Sequence, residues 1–342
     1  MAGWLITGGC GFIGRNLVEH LMNAGEHGVR MFDNLEVGRS EDLAVTSVTE
    51  LRASACGHAP VPGSVELVVG DLADARALRA SARGCDVIVH LAAATGVAPS
   101  VKDPHHDCAV NVIGTLNCLD AARQVGISRF VFASSGAPLG AVRPPLNEDL
   151  APRPLSPYGA SKLAGEGYCS AYFHSYGIDT VALRFSNVYG PGSDHKSSIV
   201  AAFIRRALAG KPLEIFGDGT QTRDFIYVGD LVRAIEKAAA APDVGGQIFQ
   251  IATACETTVA ELAELLISIL REAGLPQTAL QHAQPRIGDA QRSYADTSKA
   301  RQMLGWEATT SLEQGLRYVV AWFKEQEVLT RMRLMAAAQR RG

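Results

Sequence analysis

Near its N-terminus the chain reads Trp4-Leu5-Ile6-Thr7-Gly8-Gly9-Cys10-Gly11-Phe12-Ile13-Gly14. The first four residues form a short apolar run that predicts a β-strand, and the glycines that follow predict a tight turn. After the turn, apolar residues recur at helical spacing at Leu17, Val18 and Leu21. The predicted order of elements is therefore strand, glycine turn and helix.

The glycine turn has the spacing of a site for a dinucleotide phosphate. Gly8, Gly11 and Gly14 would let the chain turn tightly, approach a pyrophosphate and pack the helix on a sheet. The free N–H groups at the start of the helix, around Phe12 and Ile13, would face the phosphates. A glycine triplet alone is weak evidence for such a site. The next strand adds the acidic residue that a dinucleotide site also has.

The second apolar run, 29–32, ends in Asp33, 19 residues after the last glycine of the turn, and Asn34 follows. A carboxylate at this distance binds the adenosine ribose hydroxyls and repels a 2′-phosphate, so the cofactor we expect is NAD. Arg30 and Arg39 lie close by in the sequence and leave NADP open.

Two further apolar runs, 65–69 and 86–91, predict strands that end near the same cofactor. The residues expected there are Asp71, Leu72, Leu91, Ala92 and Ala93. Asp71 could accept a hydrogen bond from the adenine amino group or cap the next helix. The alanines leave room for a dinucleotide across the strand ends, whereas His90 is expected to be a satisfied core residue.

Strands that alternate with helices at this spacing predict an α/β fold with a doubly wound parallel Rossmann sheet. A helix over about 104–125, which carries Asn111, and a strand that ends at Ser135 continue the pattern, while 36–62 are expected to be a loop-rich insertion. Ligands of such sheets bind outside the carboxyl ends of the strands. The strand ends therefore locate the predicted site.

The same pattern suggests a division of the chain. We expect residues 1–186 to form the NAD-binding domain, to which 225–252 return. Residues 187–224 and 253–325 are expected to form a smaller mixed α/β substrate lobe at the C-terminal side. The basic segment 326–342 is expected to be a helix-prone, solvated tail.

A second stretch reads Ser156-Pro157-Tyr158-Gly159-Ala160-Ser161-Lys162 and predicts the start of a helix. Ser156 is a good N-cap, and Pro157 suits the first helical position. Tyr158 and Lys162 are four residues apart and share a helical face. A nearby ammonium group and a helix N-terminus favour phenolate, which predicts a lowered pKa for Tyr158 and proton exchange near neutral pH. An ordinary amphipathic helix is the alternative.

Composition limits the class of protein. The 342 residues are 47% hydrophobic with a net charge of -3, which does not favour nucleic acid or an anionic membrane as a partner. The seven scattered cysteines lack a C-x-x-C pair or a metal-binding spacing, so we expect them reduced and mostly buried, and the protein cytoplasmic. No apolar run is long enough to span a bilayer.

In chain order the motifs are Gly8-Gly9-x-Gly11-x-x-Gly14, Asp33, Asp71, Ala92-Ala93, Asn111, Ser134-Ser135, Tyr158-x-x-x-Lys162, 184–191 and 223–228. Together they resemble the extended short-chain dehydrogenase/reductase superfamily, and the last two segments are similar to its nucleotide-sugar branch. The similarity runs from residue 3 to about residue 322. It implies NAD as the cofactor, with Asn111, Tyr158 and Lys162 among its contacts.

The resemblance also implies a chemistry, the transient oxidation of a sugar carbon. Tyr158 as phenolate would take the hydroxyl proton, directly or through Ser135, while Lys162 would hold the ribose and keep the pKa of Tyr158 low. The dehydratase branch carries an Asp-Glu pair after this serine, and the decarboxylase branch a Glu. Here the residues are Gly136 and Ala137, which cannot transfer a proton, so a 4-epimerase is favoured.

Alternatives remain at this point. Pro138 and Leu139 replace the usual Val-Tyr of the epimerase branch and are expected to reshape the pocket. A nucleotide-sugar 4-keto reductase or dehydratase stays open, although Asp33 argues against the NADPH that a reductase would use. A non-catalytic dinucleotide sensor is a further alternative, but such proteins usually lack the tyrosine or the lysine.

The resemblance implies a UDP-sugar substrate and a set of contacts, namely Ser135, Asn187, Phe216, Arg223, Arg286, Asp289 and Ser293. Phe216 would lie on the uracil ring, the arginines and Asn187 at the diphosphate, and Asp289 at the ribose. A small residue at Ser293 opens space for an acetamido group. Asp194 stands where uronate-specific relatives have Arg, yet His195 and Lys196 follow it. UDP-Glc, UDP-GlcNAc and UDP-GlcA, with their C4 epimers, therefore all stay open.

A homodimer is expected as well. Relatives pair the helix near 104–125 with the tyrosine helix of each subunit. In this chain Val110, Ile113, Leu116 and Leu119 give the first helix more apolar surface than one contact with a sheet needs, unless that excess is core.

Overall fold

The structure is a computed structural model that describes residues 2–45, 47–275, 278–285 and 291–339, with side chains of the last helix given as far as residue 329. The strands are β1 (Gly3–Thr7), β2 (Gly28–Asp33), β3 (Thr49–Leu51), β4 (Val65–Val69), β5 (Val87–His90), β6 (Arg129–Ser135), β7 (Asp179–Phe185), β8 (Asn187–Tyr189), β9 (Leu213–Phe216), β10 (Thr222–Arg223), β11 (Phe225–Tyr227), β12 (Gln247–Ile251), β13 (Thr257–Thr258) and β14 (Leu280–Ala283). The helices are α1 (Phe12–Ala24), α2 (Ala75–Ala82), α3 (Val97–Lys102), α4 (Pro104–Cys108), α5 (Gly114–Val125), α6 (Pro157–Tyr176), α7 (Ile199–Leu208), α8 (Val228–Ala240), α9 (Val259–Glu272), α10 (Ser298–Leu304) and α11 (Leu312–Gln339).

A parallel sheet of eight strands, as far as the chain is described, forms the centre in the order β12-β7-β6-β5-β1-β2-β4-β3. Every neighbouring pair of strands in it runs parallel. The chain starts in the middle at β1 and adds strands outward on both sides, so the order changes direction between β1 and β5. A crevice for ligands lies outside the carboxyl ends of the strands at such a switch point. The predicted doubly wound α/β fold is confirmed.

Apolar side chains cover both faces of this sheet. Helices α1, α8 and α10 pack on one face, with Leu17 and Leu231 fully buried. Helices α2, α5 and α6 pack on the other face, where Leu78 and Leu119 are fully buried. A third apolar cluster, centred on Leu266, joins α7, α9, α11 and β9 away from the sheet and forms the smaller lobe. The carboxyl ends of the central strands therefore lie between the two helix layers and the smaller lobe.

Four local features differ from what the sequence predicted. The insertion 36–62 contains the edge strand β3, which is short and polar and so lacks the apolar run that marks a strand. Helix α3 precedes the helix expected over 104–125, and that helix is interrupted by a π-helical turn, Ala109–Ile113. Helix α11 continues through residue 325 as far as Gln339, so no element ends where the tail was expected to begin.

A buried ion pair ties α6 to the sheet. The guanidinium of Arg184 on β7 donates two hydrogen bonds of 2.8 Å to the two carboxylate oxygens of Glu166 on α6. Both side chains are only 2% exposed. Ser134, the register partner of Arg184 on β6, donates a third hydrogen bond of 2.6 Å to the same carboxylate. Two strands thus hold one point of α6, two turns after the helix begins.

We predict that Arg184→Met destabilises the protein by about 3–5 kcal/mol, because it leaves the Glu166 carboxylate buried without a counter-charge. Urea unfolding followed by circular dichroism measures the effect. Arg317→Met is the matched control, since Arg317 pairs with Glu272 and Glu313 at the surface, where the loss should be small. Equal unfolding midpoints for the two variants would contradict the prediction.

Candidate active site

Tyr158 lies in the first turn of α6, at the carboxyl end of the sheet. The hydroxyl of Ser156 accepts a hydrogen bond of 3.1 Å from the N–H of Gly159, so it caps the helix as the sequence predicted. Burial raises the pKa of Tyr158 above its ordinary value, and the hydrogen bond with Ser135 lowers it only in part. The tyrosine and Ser135 are therefore together, as a proton-transfer pair requires.

Lys162 lies on the same face of α6 as Tyr158, as its spacing predicted. Its ammonium group donates a hydrogen bond of 2.8 Å to the carbonyl of Ala133 on β6 and lies 6.0 Å from the centre of the Tyr158 ring. Burial lowers the pKa of Lys162 to about 8. The expected lowering of the Tyr158 pKa by this lysine is thus wrong for the protein alone, because burial of the phenol outweighs the charge-stabilising contacts.

Asn111 holds the floor of the site. It lies in the π-helical turn, a feature often found at functional positions. Its amide accepts a hydrogen bond of 2.9 Å from the N–H of Ala94 and donates one of 2.9 Å to the carbonyl of the same residue. It also donates to the Asp107 carboxylate at 2.8 Å and to the Ser161 hydroxyl at 3.3 Å. One side chain therefore joins the segment after β5 to α4 and α6.

The glycine turn is packed as tightly as a dinucleotide site requires. Gly8 has a φ of +70°, and a Cβ there would lie 2.7 Å from the N of Ala92. A Cβ on Gly14 would collide with the carbonyl oxygen of Gly8. Arg15 donates the first i→i−4 bond of α1 to Gly11, so the amides of residues 12–14 precede the helical ladder. These amides are the groups available to a phosphate.

Asp33, at the end of β2, is fixed but not saturated. Its carboxylate accepts hydrogen bonds from the N–H of Cys10 at 2.9 Å and of Leu35 at 2.8 Å. A carboxylate has about four acceptor positions, so two remain for ribose hydroxyls. Asn34 donates a hydrogen bond of 3.2 Å to Asp71, which therefore lies beside it. The cap of α2 is Asp74 and not Asp71, so the capping alternative for Asp71 is wrong.

One of the two basic residues that left NADP open, Arg30, has partners inside the protein. Arg30 is fully buried and donates a hydrogen bond of 2.7 Å to Glu66, its neighbour on β4. Its remaining donors reach the backbone carbonyls of Ser81, Arg83 and His58. The Arg30 side chain therefore has its hydrogen-bond partners inside the protein. Turn, amides and carboxylate together fit NAD as the dinucleotide.

The segment after β5 forms the other wall of this site. Leu91 donates a hydrogen bond of 3.1 Å to the carbonyl of Thr7, and Ala92 and Ala93 follow it half-buried. Leu72 is buried against α5, where Asn117 donates a hydrogen bond of 2.8 Å to its carbonyl. These residues surround the strand ends as expected.

The core assignment of His90 is confirmed. Its two ring nitrogens lie 2.7 Å from the Thr7 hydroxyl and 3.0 Å from the Thr115 hydroxyl. Burial lowers the pKa of His90 to about 3, so the ring stays neutral. Both ring nitrogens of His90 thus have partners inside the core.

On the lobe side, Phe216 lies at the end of β9 and lines an open cavity of about 1000 Å³ together with His282 and Pro285. The half-buried ring is not one of the buried core residues, so the core alternative for Phe216 is wrong. Asn187 is exposed at the start of β8, which pairs with β11. Arg286 and Asp289 lie outside the described residues.

Arg223 and Ser293 are close to each other in this lobe. Arg223 forms β10 with Thr222 and donates a hydrogen bond of 2.6 Å to the Thr222 carbonyl. The N–H of Ser293 lies 3.4 Å from the Thr222 hydroxyl. The following residues Tyr294 and Asp296 bond to the backbone of Leu146, in the Pro-rich segment 144–157 before α6. The structure therefore brings Ser293 beside the expected diphosphate arginine.

Pro138 and Leu139, which were expected to reshape the pocket, are not exposed to it directly. Both are buried in the turn Ala137–Leu139, and Leu139 packs with Leu146 in a small apolar cluster. The first turn of α6 lies on this turn so closely that a Cβ on Gly159 would be 2.7 Å from the Ala137 carbonyl oxygen. These residues instead support the helix that carries Tyr158.

Sequence reasoning missed the residues that connect the two sides of the site. Arg15 donates hydrogen bonds to the carbonyl of Gly192 and, at 3.0 Å, to the carboxylate of Asp194. Asn16 donates one of 3.0 Å to the carbonyl of Pro191. Both residues follow the glycine turn directly, but no spacing signal links them to the loop 190–198. Asp107 was missed too, although it lies one helical turn before Asn111.

Three further observations concern the described part of the chain. It contains no group of three or more His, Cys, Asp or Glu side chains arranged to hold a metal ion. None of its helices is both long and apolar enough to cross a membrane. The seven cysteines are unpaired, and all but Cys108 and Cys255 are buried, as the sequence predicted.

A doubly wound sheet with a glycine turn, an acidic strand end and a serine–tyrosine–lysine set defines a dinucleotide-dependent enzyme. Residues 4–252 match the model of the NAD dependent epimerase/dehydratase family, and the chain belongs to that family. Its cofactor is NAD. The resemblance seen in the motifs is thereby confirmed.

Relatives cover nearly the whole chain. A UDP-glucose 4-epimerase of Mycolicibacterium smegmatis is 38% identical over 94% of this chain and 98% of its own length. A UDP-N-acetylglucosamine 4-epimerase of Methanobrevibacter ruminantium M1, solved with UDP-N-acetylmuramic acid, superposes with a TM-score of 0.85 at 31% identity and covers 95% of this chain and 99% of that one. A UDP-glucose 4-epimerase of Thermus thermophilus, solved with NAD, has a TM-score of 0.80 at 35% identity and covers 94% and 98%.

Proposed function

We propose that the protein is an NAD-dependent 4-epimerase of a UDP-hexose that acts through a transient 4-keto sugar. The observation that carries this proposal is the pairing of Ser135 with Tyr158 at the sheet edge, followed by residues that cannot transfer a proton. Family membership and the epimerase relatives support it. Gly136 and Ala137 argue against a dehydratase, which needs an additional acid and base after the serine.

The chain's own residues supply proton transfer and orientation. Tyr158 accepts the proton of the C4 hydroxyl, with Ser135 hydrogen-bonded to the phenol, and returns a proton to the C4 oxygen afterwards. When bound, NAD would supply the hydride chemistry, which is acceptance of a hydride from C4 and its return to C4. The buried ammonium of Lys162 stabilises the phenolate form through its charge once the site is closed to water. Proton and hydride both return to the sugar, so the enzyme is unchanged after each turnover.

We further propose that residues 1–186, with 225–252 returning, hold NAD and that 187–224 with 253–325 hold the UDP-sugar. The cavity at Phe216 supports this division, because a half-buried aromatic ring at a cavity suits a stacked nucleobase. Asn187 and Arg223 are the described residues that the resemblance assigns to the diphosphate. Residues 326–342 have no proposed role. Unpaired cysteines favour a cytoplasmic enzyme.

Incubation of the purified protein with UDP-Glc, UDP-GlcNAc and UDP-GlcA, without added cofactor, tests the function. NMR should show inversion at C4 of at least one of them and no accumulation of NADH. Tyr158→Phe should lower kcat by a factor on the order of 10²–10⁴, as typical for lost acid–base catalysis. Near-normal turnover of this variant, or stoichiometric NADH, would count against the epimerase mechanism.

The choice of hexose is tested at Ser293. We propose that its small side chain leaves room for an acetamido group, which would make UDP-GlcNAc a substrate. Ser293→Tyr should then lower kcat/KM for UDP-GlcNAc at least about tenfold, since overpacking costs roughly 1–3 kcal/mol. UDP-Glc should lose much less. Equal losses for both sugars, or none, would remove Ser293 from the sugar pocket.

We also propose that the protein is a homodimer. Leu119 is fully buried, and Val110 and Leu116 pack on the core, so most of the apolar excess of the first helix is core. Ile113, however, is 50% exposed, and exposed apolar side chains on α3 and α6 lie nearby in the fold, among them Val101 and Tyr168. Exposed apolar groups on neighbouring helices favour an interface.

Replacing Ile113 with Glu should therefore shift the mass in solution from dimer towards monomer, because a charge would be buried in the contact. Light scattering at micromolar concentration measures this. Val61→Glu is the control, since Val61 is 60% exposed and lies beside Gly28 at the amino end of β2. A monomeric native protein would refute the homodimer.

A further inference from the structure

Asp107 is a buried carboxylate that the proposed mechanism does not use. It lies on α4, is 2% exposed, and faces α6, against which α4 packs. Its Oδ2 accepts a hydrogen bond of 2.8 Å from the amide of Asn111, four residues later. The same amide reaches the Ser161 hydroxyl, one residue before Lys162. A short hydrogen-bond chain thus links Asp107 to the helix turn that carries Tyr158 and Lys162.

Two buried carboxylates lie near Lys162, and they differ in whether a cation pairs with them. Glu166 is held by two hydrogen bonds from Arg184 and one from Ser134, so its charge is compensated. Asp107 takes part in no ion pair within the described part of the chain, and its hydrogen-bond donor Asn111 is neutral. A buried charge is costly without a partner of opposite sign. The nearest buried cation on the facing helix is the ammonium of Lys162.

We propose that Asp107 is a positioning residue of the active site, which fixes the orientation of the Asn111 amide and provides the anion that balances the buried ammonium of Lys162. Through Asn111 it sets the two hydrogen bonds that hold Ala94 at the floor of the dinucleotide site. This inference rests on the proposed function only for its kinetic test, because the charge balance itself can be measured without turnover.

The direction of the electrostatic effect follows from the surroundings. The titratable and charged groups around Lys162 and Tyr158 are Asp107 on α4, Glu166 and Cys169 on α6, Lys196 in the loop after β8, and His90 at the end of β5. Asp107 raises the pKa of Lys162 against the lowering by burial, and it also raises the pKa of Tyr158. Loss of its charge lowers both pKa values.

Asp107→Asn is the informative substitution, since the amide oxygen can still accept the hydrogen bond from Asn111 while the charge is gone. Active enzyme needs Tyr158 deprotonated and Lys162 protonated, so both limbs of the pH profile of kcat should move to lower pH. The ratio of variant to native kcat then falls as pH rises. Asp107→Ala, which also loses the hydrogen bond, should be at least about tenfold slower than Asp107→Asn at low pH, because misplaced groups cost rate.

Asp103→Asn is the matched control. Asp103 is exposed at the N-cap of the same helix, and Asn is an equally good cap, so the same charge is removed without a change in the pH profile. Unmoved limbs in Asp107→Asn, or the same shift in Asp103→Asn, would overturn the proposal.

A second readout does not depend on the reaction. NMR of protein labelled at the lysine side chains, with the Lys162 resonance assigned by its loss in Lys162→Met, should show titration in the native protein and a lower pKa in Asp107→Asn. If C4 inversion is absent but this shift occurs, the proposed function fails and the inference about Asp107 stands. An unchanged Lys162 titration defeats the inference. If Asp107→Asn does not fold, the native protein labelled at the aspartate carboxyl groups provides the test. The chemical shift of the Asp107 carboxyl should change when Lys162 loses its proton. No change in that chemical shift would contradict the inference.

Discussion

Burial of an ammonium group is the constraint on which the active site depends. Lys162 is 4% exposed between α6 and the sheet, and an isolated charge in such a place is costly. The fold offsets this cost with a carbonyl of β6 at 2.8 Å, the face of Phe132 at 5.0 Å from the nitrogen, and the carboxylate of Asp107. Helix α6 cannot shift along the sheet without breaking these contacts, so the position of Tyr158 follows from the burial of Lys162.

The sequence predicted the sheet well because its evidence is local. Buried parallel strands are continuous apolar runs, and the glycine turn, the Ser156 cap and Pro157 mark where helices begin. The edge strand β3 and helix α3 were missed for the opposite reason, since both are short, exposed and without apolar period. The π-helical turn at Ala109–Ile113 leaves the apolar pattern almost unchanged, so no periodicity reveals it.

Within the site, prediction of position succeeded for residues defined by their distance along the chain, whereas their roles stay predictions. Asp33, Tyr158 and Lys162 follow from spacing to a turn or along one helix face. It failed for properties set by packing: the pKa of Tyr158 depends on burial, and Arg30 turned out to be paired inside the sheet. Pro138 and Leu139 were expected to reshape the pocket, and spacing along the chain did not reveal that their side chains are buried beneath α6.

The two sides of the site are joined by the residues that follow the glycine turn. Arg15 and Asn16 belong to the first turns of α1, whose amides are the groups available to a phosphate. They donate hydrogen bonds to the carbonyls of Gly192 and Pro191, at the start of the loop that leads to α7. A Cβ on Gly192 would collide with the Arg15 side chain, so this contact has no slack. A 4-epimerase must present both faces of a keto sugar to one hydride position. The segments that hold the sugar must therefore have a fixed position relative to the segments that hold the cofactor. Helix α1 begins at the glycine turn and also holds the loop 190–198 through Arg15 and Asn16. The relative position of these two segments is therefore fixed by direct contacts and does not depend on the long stretch of chain between them.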